Sequence, residues 1–226
     1  MKTIKGLLGL VLVVSLLVLG IYWAFEPEIS KISIGQKAWA ATTASQEIDV
    51  ILTVVGELTL TAPSNITMGS GNISMSQNDV FGTGDAWNVK TSNAEGYTLT
   101  LKTDQVNCMD SGSDQFTDYT EASTGTPDTW SVDVANYEFG FSVYGDDVST
   151  ATWGDETTCG SGSTPDGTLK WMGFTGTTAI TIATSGTETA TVGTDTIFCV
   201  GAEQGINVFA PDGSYTADIT GTAVAP

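Results

Sequence analysis

Carboxylates are the only abundant reactive groups in this sequence. Its 226 residues include no His and no Arg, against 26 Asp and Glu and seven Lys. Without imidazole there is no Ser-His-Asp or Cys-His relay, no HExxH zinc helix and no proton shuttle near neutral pH. Without guanidinium there is no bidentate clamp for phosphate or carboxylate. The glycines make no GxGxxG or Walker spacing at a strand-to-helix junction. Two carboxylates acting as acid and base, as in glycoside hydrolysis, are what remains, with Glu138 and the pair Asp146-Asp147 as candidates. Acids are so numerous that such a pair arises by chance, so the expectation is a non-catalytic protein, with a glycoside hydrolase as the second alternative.

Hard-cation binding is the other chemistry that carboxylates support. Asp110-Ser-Gly-Ser-Asp114, followed by Asp118, sets oxygen ligands at alternate positions around a glycine, as Ca2+ needs from a flexible loop. The spacing is not that of an EF-hand, and Asp and Gly are also what turns prefer. Ca2+ is thus the one cofactor the sequence suggests, and a calcium-dependent carbohydrate-binding module is the first functional alternative. Among the tryptophans, Trp87 and Trp130 fall in alternating patterns that fit a core. Trp153, between Ala151-Thr152 and Gly154-Asp155, fits a strand end and is the candidate for an exposed ligand contact.

Three cysteines permit one bridge and one leftover thiol. Cys159 in a Gly/Ser turn and Cys199 in an apolar run are the expected pair, leaving Cys108 free or intermolecular. Such a bridge belongs to an oxidising compartment, and the N-terminus agrees. Lys2 and Lys5 precede an apolar run over residues 6–25, which reads as a targeting segment. Its 20 residues suit a membrane anchor, while Ala38-Trp39-Ala40 offers a small-x-small cleavage site after Ala40. Residues 1–40 are read as that signal peptide or anchor, and residues 41–226 as one exported domain.

The elements that must position these groups are strands. Thr, Ser, Gly and Val dominate, and apolar residues alternate rather than recur at helical spacing. The expected fold is all-β, an antiparallel two-sheet β-sandwich preceded by an N-terminal hydrophobic helix. Residues 48–54 and 58–61 are expected as two strands around Gly56. Residues 87–91 are expected to pair with 97–102 across Asn93-Ala-Glu-Gly96. In the latter run Tyr97, Leu99 and Leu101 share one face and Thr98, Thr100 and Lys102 the other, wet one. Further strands are expected over 130–134, 137–144, 169–174, 179–183, 196–202 and 215–224, and residues 107–127 as a long polar excursion.

Two stretches resemble a known family. Leu58-Thr-Leu-Thr-Ala-Pro-Ser64 and Gly213-Ser-Tyr-Thr-Ala-Asp-Ile-Thr220 are similar to the opening and closing strands of WxL-domain cell-surface proteins. The resemblance implies a β-sandwich displayed on a bacterial envelope. It covers only the edges of the domain, and the Trp-x-Leu motif itself is absent: Trp87-Asn-Val89 and Trp130-Ser-Val132 come nearest.

Beyond residue 41, 24 Asp and Glu face only Lys90, Lys102 and Lys170, within a chain of net charge −19. Such a surface repels nucleic acid and anionic membranes, so membrane contact is expected only through residues 6–25. The expected function is an exported structural or adhesive component of the cell envelope, secreted or held at the surface. Its partner is an envelope polymer or a neighbouring surface protein, with homo-oligomers formed through an edge strand over residues 46–54.

Overall fold

Strands of alternating character build two sheets that share one core. The computed structural model describes residues 51–68, 73–75, 79–160, 165 and 167–226, and residues 53–226 form one compact unit. The targeting segment at 6–25, the Ala40 cleavage site and residues 46–50 of the expected edge strand lie outside the described residues. Among the described residues no helix is long and apolar enough to cross a membrane.

The elements are β1 (Leu58–Thr61), β2 (Asp79–Thr91), β3 (Tyr97–Thr103), β4 (Thr117–Asp118), β5 (Tyr137–Gly145), the single-turn helix α1 (Thr150–Trp153), β6 (Ile180–Ser185), β7 (Thr194–Gln204) and β8 (Ile219–Val224). The larger sheet has the order β1-β2-β7-β5-β4 and the smaller one β6-β3-β8. The all-β reading therefore holds, with two sheets in a sandwich-like arrangement. Its strictly antiparallel form does not: β4 runs parallel to β5, Thr117 opposite Glu138 and Asp118 opposite Phe139. The chain reaches β5 from β4 by a long excursion rather than a tight turn, which frees the direction of entry.

Trp87, Val89, Phe139, Phe141, Val143, Phe198 and Val200 from the larger sheet pack against Tyr97, Leu99, Leu101 and Ile182 from the smaller one. Tyr97, Leu99 and Leu101 are fully buried and Lys102 is exposed, as the alternation predicts. Each buried aromatic or aliphatic side chain contributes roughly 1.5–3 kcal/mol on leaving water, so this shared layer dominates the stability of the domain.

The expected hairpin between residues 87–91 and 97–102 does not form. β2 pairs with β1 and β7, while β3 pairs with β6 and β8. Asn93-Ala-Glu-Gly96 turns the chain from one sheet to the other, because the apolar faces of both strands must meet across the core. The turn is local: Gly96 N–H donates to the Asn93 carbonyl and Glu95 N–H to Asn93 Oδ1, each at 3.0 Å. Gly96 has φ +79°, and a Cβ there would lie 2.1 Å from the Ser185 carbonyl oxygen, so only glycine fits.

Other expected strands also resolve differently. Residues 51–57 are outside any strand, and β1 pairs instead with β2. Residues 130–134 are irregular, and 169–174 contribute only bridges at Trp171 and Met172. The excursion at 107–127 is more than a polar loop, since it lends Cys108, Met109, Phe116 and Tyr119 to the buried interior.

Candidate functional site

The outer face of the larger sheet, rather than any loop, gathers most of the chemically notable side chains. Gly140 on β5 and Gly201 on β7 stand opposite each other and leave a shelf without Cβ atoms. A Cβ on Gly140 would sit 2.7 Å from Tyr119 Cβ, and one on Gly201 would sit 2.7 Å from Phe81 Cε1. Onto this shelf settle Phe81, Tyr119, Trp130 and Trp171 with Leu169. Tyr119 stacks on Trp130 with centroids 4.7 Å apart and planes 10° from parallel, while Phe81 meets Trp130 and Trp171 edge-on at 5.3 and 5.2 Å. Edge-on and stacked pairs of this kind add roughly 0.5–1.5 kcal/mol each beyond area burial.

Backbone bonds hold the covering loops in place. Asp128 and Trp171 exchange hydrogen bonds, Asp128 N–H to the Trp171 carbonyl at 3.0 Å and Trp171 N–H to the Asp128 carbonyl at 2.6 Å. The Tyr119 hydroxyl lies 2.6 Å from Asp128 Oδ1 and 2.9 Å from the Thr129 carbonyl. The disulfide between Cys159 and Cys199, expected from the sequence, closes a loop of 40 residues with Cα atoms 5.4 Å apart and both cysteines fully buried. It fixes the loop carrying Leu169 and Trp171 to the middle of β7.

Beside the aromatics runs a row of acids. Asp79 on β2 stands opposite Glu203 on β7, which stands opposite Glu138 on β5, so the three side chains share one face of the sheet. Burial pushes all three carboxyls above their ordinary range. For Glu138 the neighbouring Asp133 and Glu203 add to the rise, opposed by the Thr120 N–H and the Asn136 amide, each 3.3 Å away. For Glu203 the Trp130 indole N–H donates to Oε2 and opposes the rise, while Asp79 adds to it. The row can hold protons. It is not presented to solvent at Glu138, which is only 2% exposed.

The sign of the resulting pH dependence follows from these shifts. Carboxyls raised in the folded state bind protons that the unfolded chain has released, so their contribution favours folding below the ordinary carboxyl range. It is lost as pH rises through the raised values. Reduced self-repulsion of the −19 chain acts in the same direction. The melting temperature is therefore expected to be higher near pH 5 than at pH 7. Glu203→Gln, which removes the middle charge of the row, should raise Tm at pH 7 by about 2–4 °C, the equivalent of ~1 kcal/mol in a domain of this size, and flatten the slope. Scanning calorimetry of both proteins from pH 4.5 to 8 checks this, and an unaltered slope in the variant rejects the row as its source.

The other expected site residues are placed differently. Asp110, Asp114 and Asp118 do not converge, and among the described residues no group of three or more Asp, Glu or Cys could hold a metal. Asp110 accepts hydrogen bonds from Gly112 N–H and from the Gln105 and Gln115 amides, which hold its carboxyl below the usual range. Asp114 accepts from the Ser113 hydroxyl at 2.7 Å. Asp118 lies on β4, where Asn107 N–H donates to it at 2.8 Å and burial raises its carboxyl. Alternate spacing in the sequence was answered by local turn bonds, as short polar side chains permit.

Trp153 is not an exposed contact. At 2% exposure it closes α1 against Phe141, with ring centroids 5.3 Å apart. Trp87 and Trp130 are buried, as expected. The suggested pairing of Glu138 with Asp146-Asp147 fails on distance: Glu138 is the second residue of β5 and Asp146 follows its last, about 26 Å away at roughly 3.3 Å per residue. Asp147 instead accepts a hydrogen bond from the Tyr97 hydroxyl at 2.8 Å. Cys108 is free and buried, its thiol pushed up to about 12 by burial first and by Asp118 next. The partners of Glu138 that sequence reasoning missed, Glu203 and Asp79, carry no local signal, because only strand register unites them.

No protein-family model, curated protein or solved structure matches this chain.

Proposed function

We propose that the chain is an exported, non-catalytic module that works as a structural or adhesive component of a cell surface. The observation that carries this reading is the Cys159–Cys199 bridge, buried and closing a long loop over the sheet, as suits a protein that folds in an oxidising compartment. Further support comes from how the molecule uses its side chains. Both faces of the larger sheet are packed, and the half-buried Glu203 accepts a hydrogen bond from the Trp130 indole.

The outer face of the smaller sheet has a different character. Thr181, Thr100 and Thr222 stand in one row across β6, β3 and β8, and Thr184 and Thr98 stand in the next. These hydroxyls, with Lys102, make an uncharged to weakly positive surface on an acidic protein, suited to polar contact with an envelope polymer or a neighbouring surface protein. The resemblance of residues 58–64 and 213–220 to WxL-domain strands fits the same reading, since these stretches supply β1 and the approach to β8.

Fractionation of native cells followed by intact mass spectrometry tests the proposal. The expected result is protein in the envelope or medium with one disulfide per chain and one thiol that is alkylated once the protein is denatured. Cytoplasmic protein with three reduced thiols would reject it.

A further inference from the structure

We infer that β8 is an acceptor edge to which residues 51–55 of a second copy of this chain add as a new strand. The inference rests on the structural role proposed above and specifies its partner.

The sheets have four ends, and three carry protection against further pairing. β1 has only four residues and is followed by Pro63. On the far side of the larger sheet, β4 covers the start of β5, and Phe141 and Met172 exchange backbone hydrogen bonds farther along, at 2.8 and 2.9 Å. On β6, the register with β3 shifts between Leu99 and Thr100, and Thr184 N–H donates to the Asp147 carbonyl at 3.0 Å. Short length, bulges and covering loops are the devices by which native sheets blunt their edges.

Among the described residues β8 has none of them. It pairs with β3 in unbroken register over six residues, from Ile219 opposite Thr103 to Val224 opposite Thr98. Among the described residues β3 is its sole strand partner. It contains no Pro and no charge, and Val224 is 56% exposed. Half the backbone N–H and C=O groups of an edge strand point away from its partner and are open to another strand.

The same chain carries a matching donor. Ile51, Leu52, Val54 and Val55 are 74–87% exposed and lie outside every strand. β-Branched and apolar residues exposed in this way favour pairing into a sheet. Charge selects the partner. Two copies of a −19 chain repel over most of their surfaces, yet neither residues 50–56 nor residues 219–224 contain an Asp, Glu or Lys. These are stretches at which two such acidic bodies can approach. A donor from one copy on the acceptor of the next leaves the second copy's own donor unused, so the contact is heterologous and propagates beyond a dimer into rings or open-ended assemblies.

Two measurements on the full chain decide the matter. In the first, preparations of Val54→Cys and Thr222→Cys are mixed and mildly oxidised, Cys108 being buried and Cys159 and Cys199 already joined. The cross-linked species expected to dominate, by at least tenfold over either homodimer, joins residue 54 of one copy to residue 222 of the other. Equal homodimer yields overturn the inference, as does bridging within one chain when both substitutions are combined. In the second, sedimentation equilibrium should show self-association of the unsubstituted protein that strengthens with salt, as screened repulsion requires. Val54→Pro, which lies outside every strand and so spares the fold, should weaken it at least tenfold. A monomer at all concentrations, or a variant that assembles undiminished, overturns the proposal. Either failure, with the protein still oxidised on the cell surface, leaves the export reading standing, whereas reduced cytoplasmic protein removes that reading whatever the oligomeric state.

Discussion

Loss of the bridge between Cys159 and Cys199 is expected to lower the melting temperature by roughly 8–16 °C, from about 4 kcal/mol of chain entropy and ~2–4 °C per kcal/mol in a domain of this size. The closed loop spans 40 residues, long enough for the unfolded chain to gain considerable freedom when it opens. In the folded state the bridge fastens Cys159 to the centre of β7, and Leu169 and Trp171, within the same closed loop, lie on the glycine shelf. Opening it loosens the cover over Phe81 as well as enlarging the unfolded ensemble. The measurement is calorimetry of the double variant Cys159→Ser/Cys199→Ala beside the unsubstituted protein. A fall of less than about 2 °C, well under the chain-entropy value, rejects a stabilising role for the bridge. Cys108 should remain unalkylated by mild reagents in both folded proteins, since the buried thiol is held far from its thiolate form.

The bridge was legible because the choice was small: three cysteines give three pairings, and only one of them joins a Gly/Ser turn to a strongly apolar strand. The faces of β3 were legible for a similar reason, since period-two alternation in Tyr97-Thr-Leu-Thr-Leu-Lys102 is a local property. Sheet membership was not. The turn at Asn93-Ala-Glu-Gly96 has the same residues whether it returns a strand beside its predecessor or carries it across the core. What decides is that Trp87 and Val89 pack against Tyr97, Leu99 and Leu101, a fact of tertiary packing. The runs at 130–134 and 169–174 misled in the opposite sense. Trp130, Leu169 and Trp171 are buried as strand residues would be, but by packing on the outer face of the larger sheet around Gly140 and Gly201 rather than by joining a ladder.

The acid row shows the limit most clearly. Asp79, Glu138 and Glu203 are separated by at least 59 residues in sequence, and nothing near any of them indicates the others. They meet because β2, β7 and β5 are neighbours in a particular register. A shift of one residue in any strand would turn its acid to the opposite face. Site chemistry in a β-fold of this kind is thus set by long-range pairing, while local spacing, as in Asp110, Asp114 and Asp118, is answered by local turns.

Trp153 provides the sharpest test of that distinction, because its sequence context suggested a ligand contact and its surroundings are those of a core residue. Trp153→Ala is expected to destabilise the domain by roughly 3–5 kcal/mol, the usual range for emptying a buried tryptophan site. Trp153 is 2% exposed, its indole packs on Phe141, and it sits where α1 ends, the Lys170 N–H donating to the Trp153 backbone carbonyl at 2.9 Å. Truncation therefore leaves a cavity beside the inner face of β5 and withdraws support from the strand that carries Phe139, Phe141 and Val143. Trp153→Phe, which keeps an aromatic ring against Phe141, should recover at least half of the loss. Urea unfolding followed by circular dichroism measures both, with the midpoint shifting at nearly constant m-value if the denatured state is unaltered. If Trp153→Ala unfolds at the same urea concentration as the unsubstituted protein, the residue is not part of the core. The face it occupies would then have to be read as a surface.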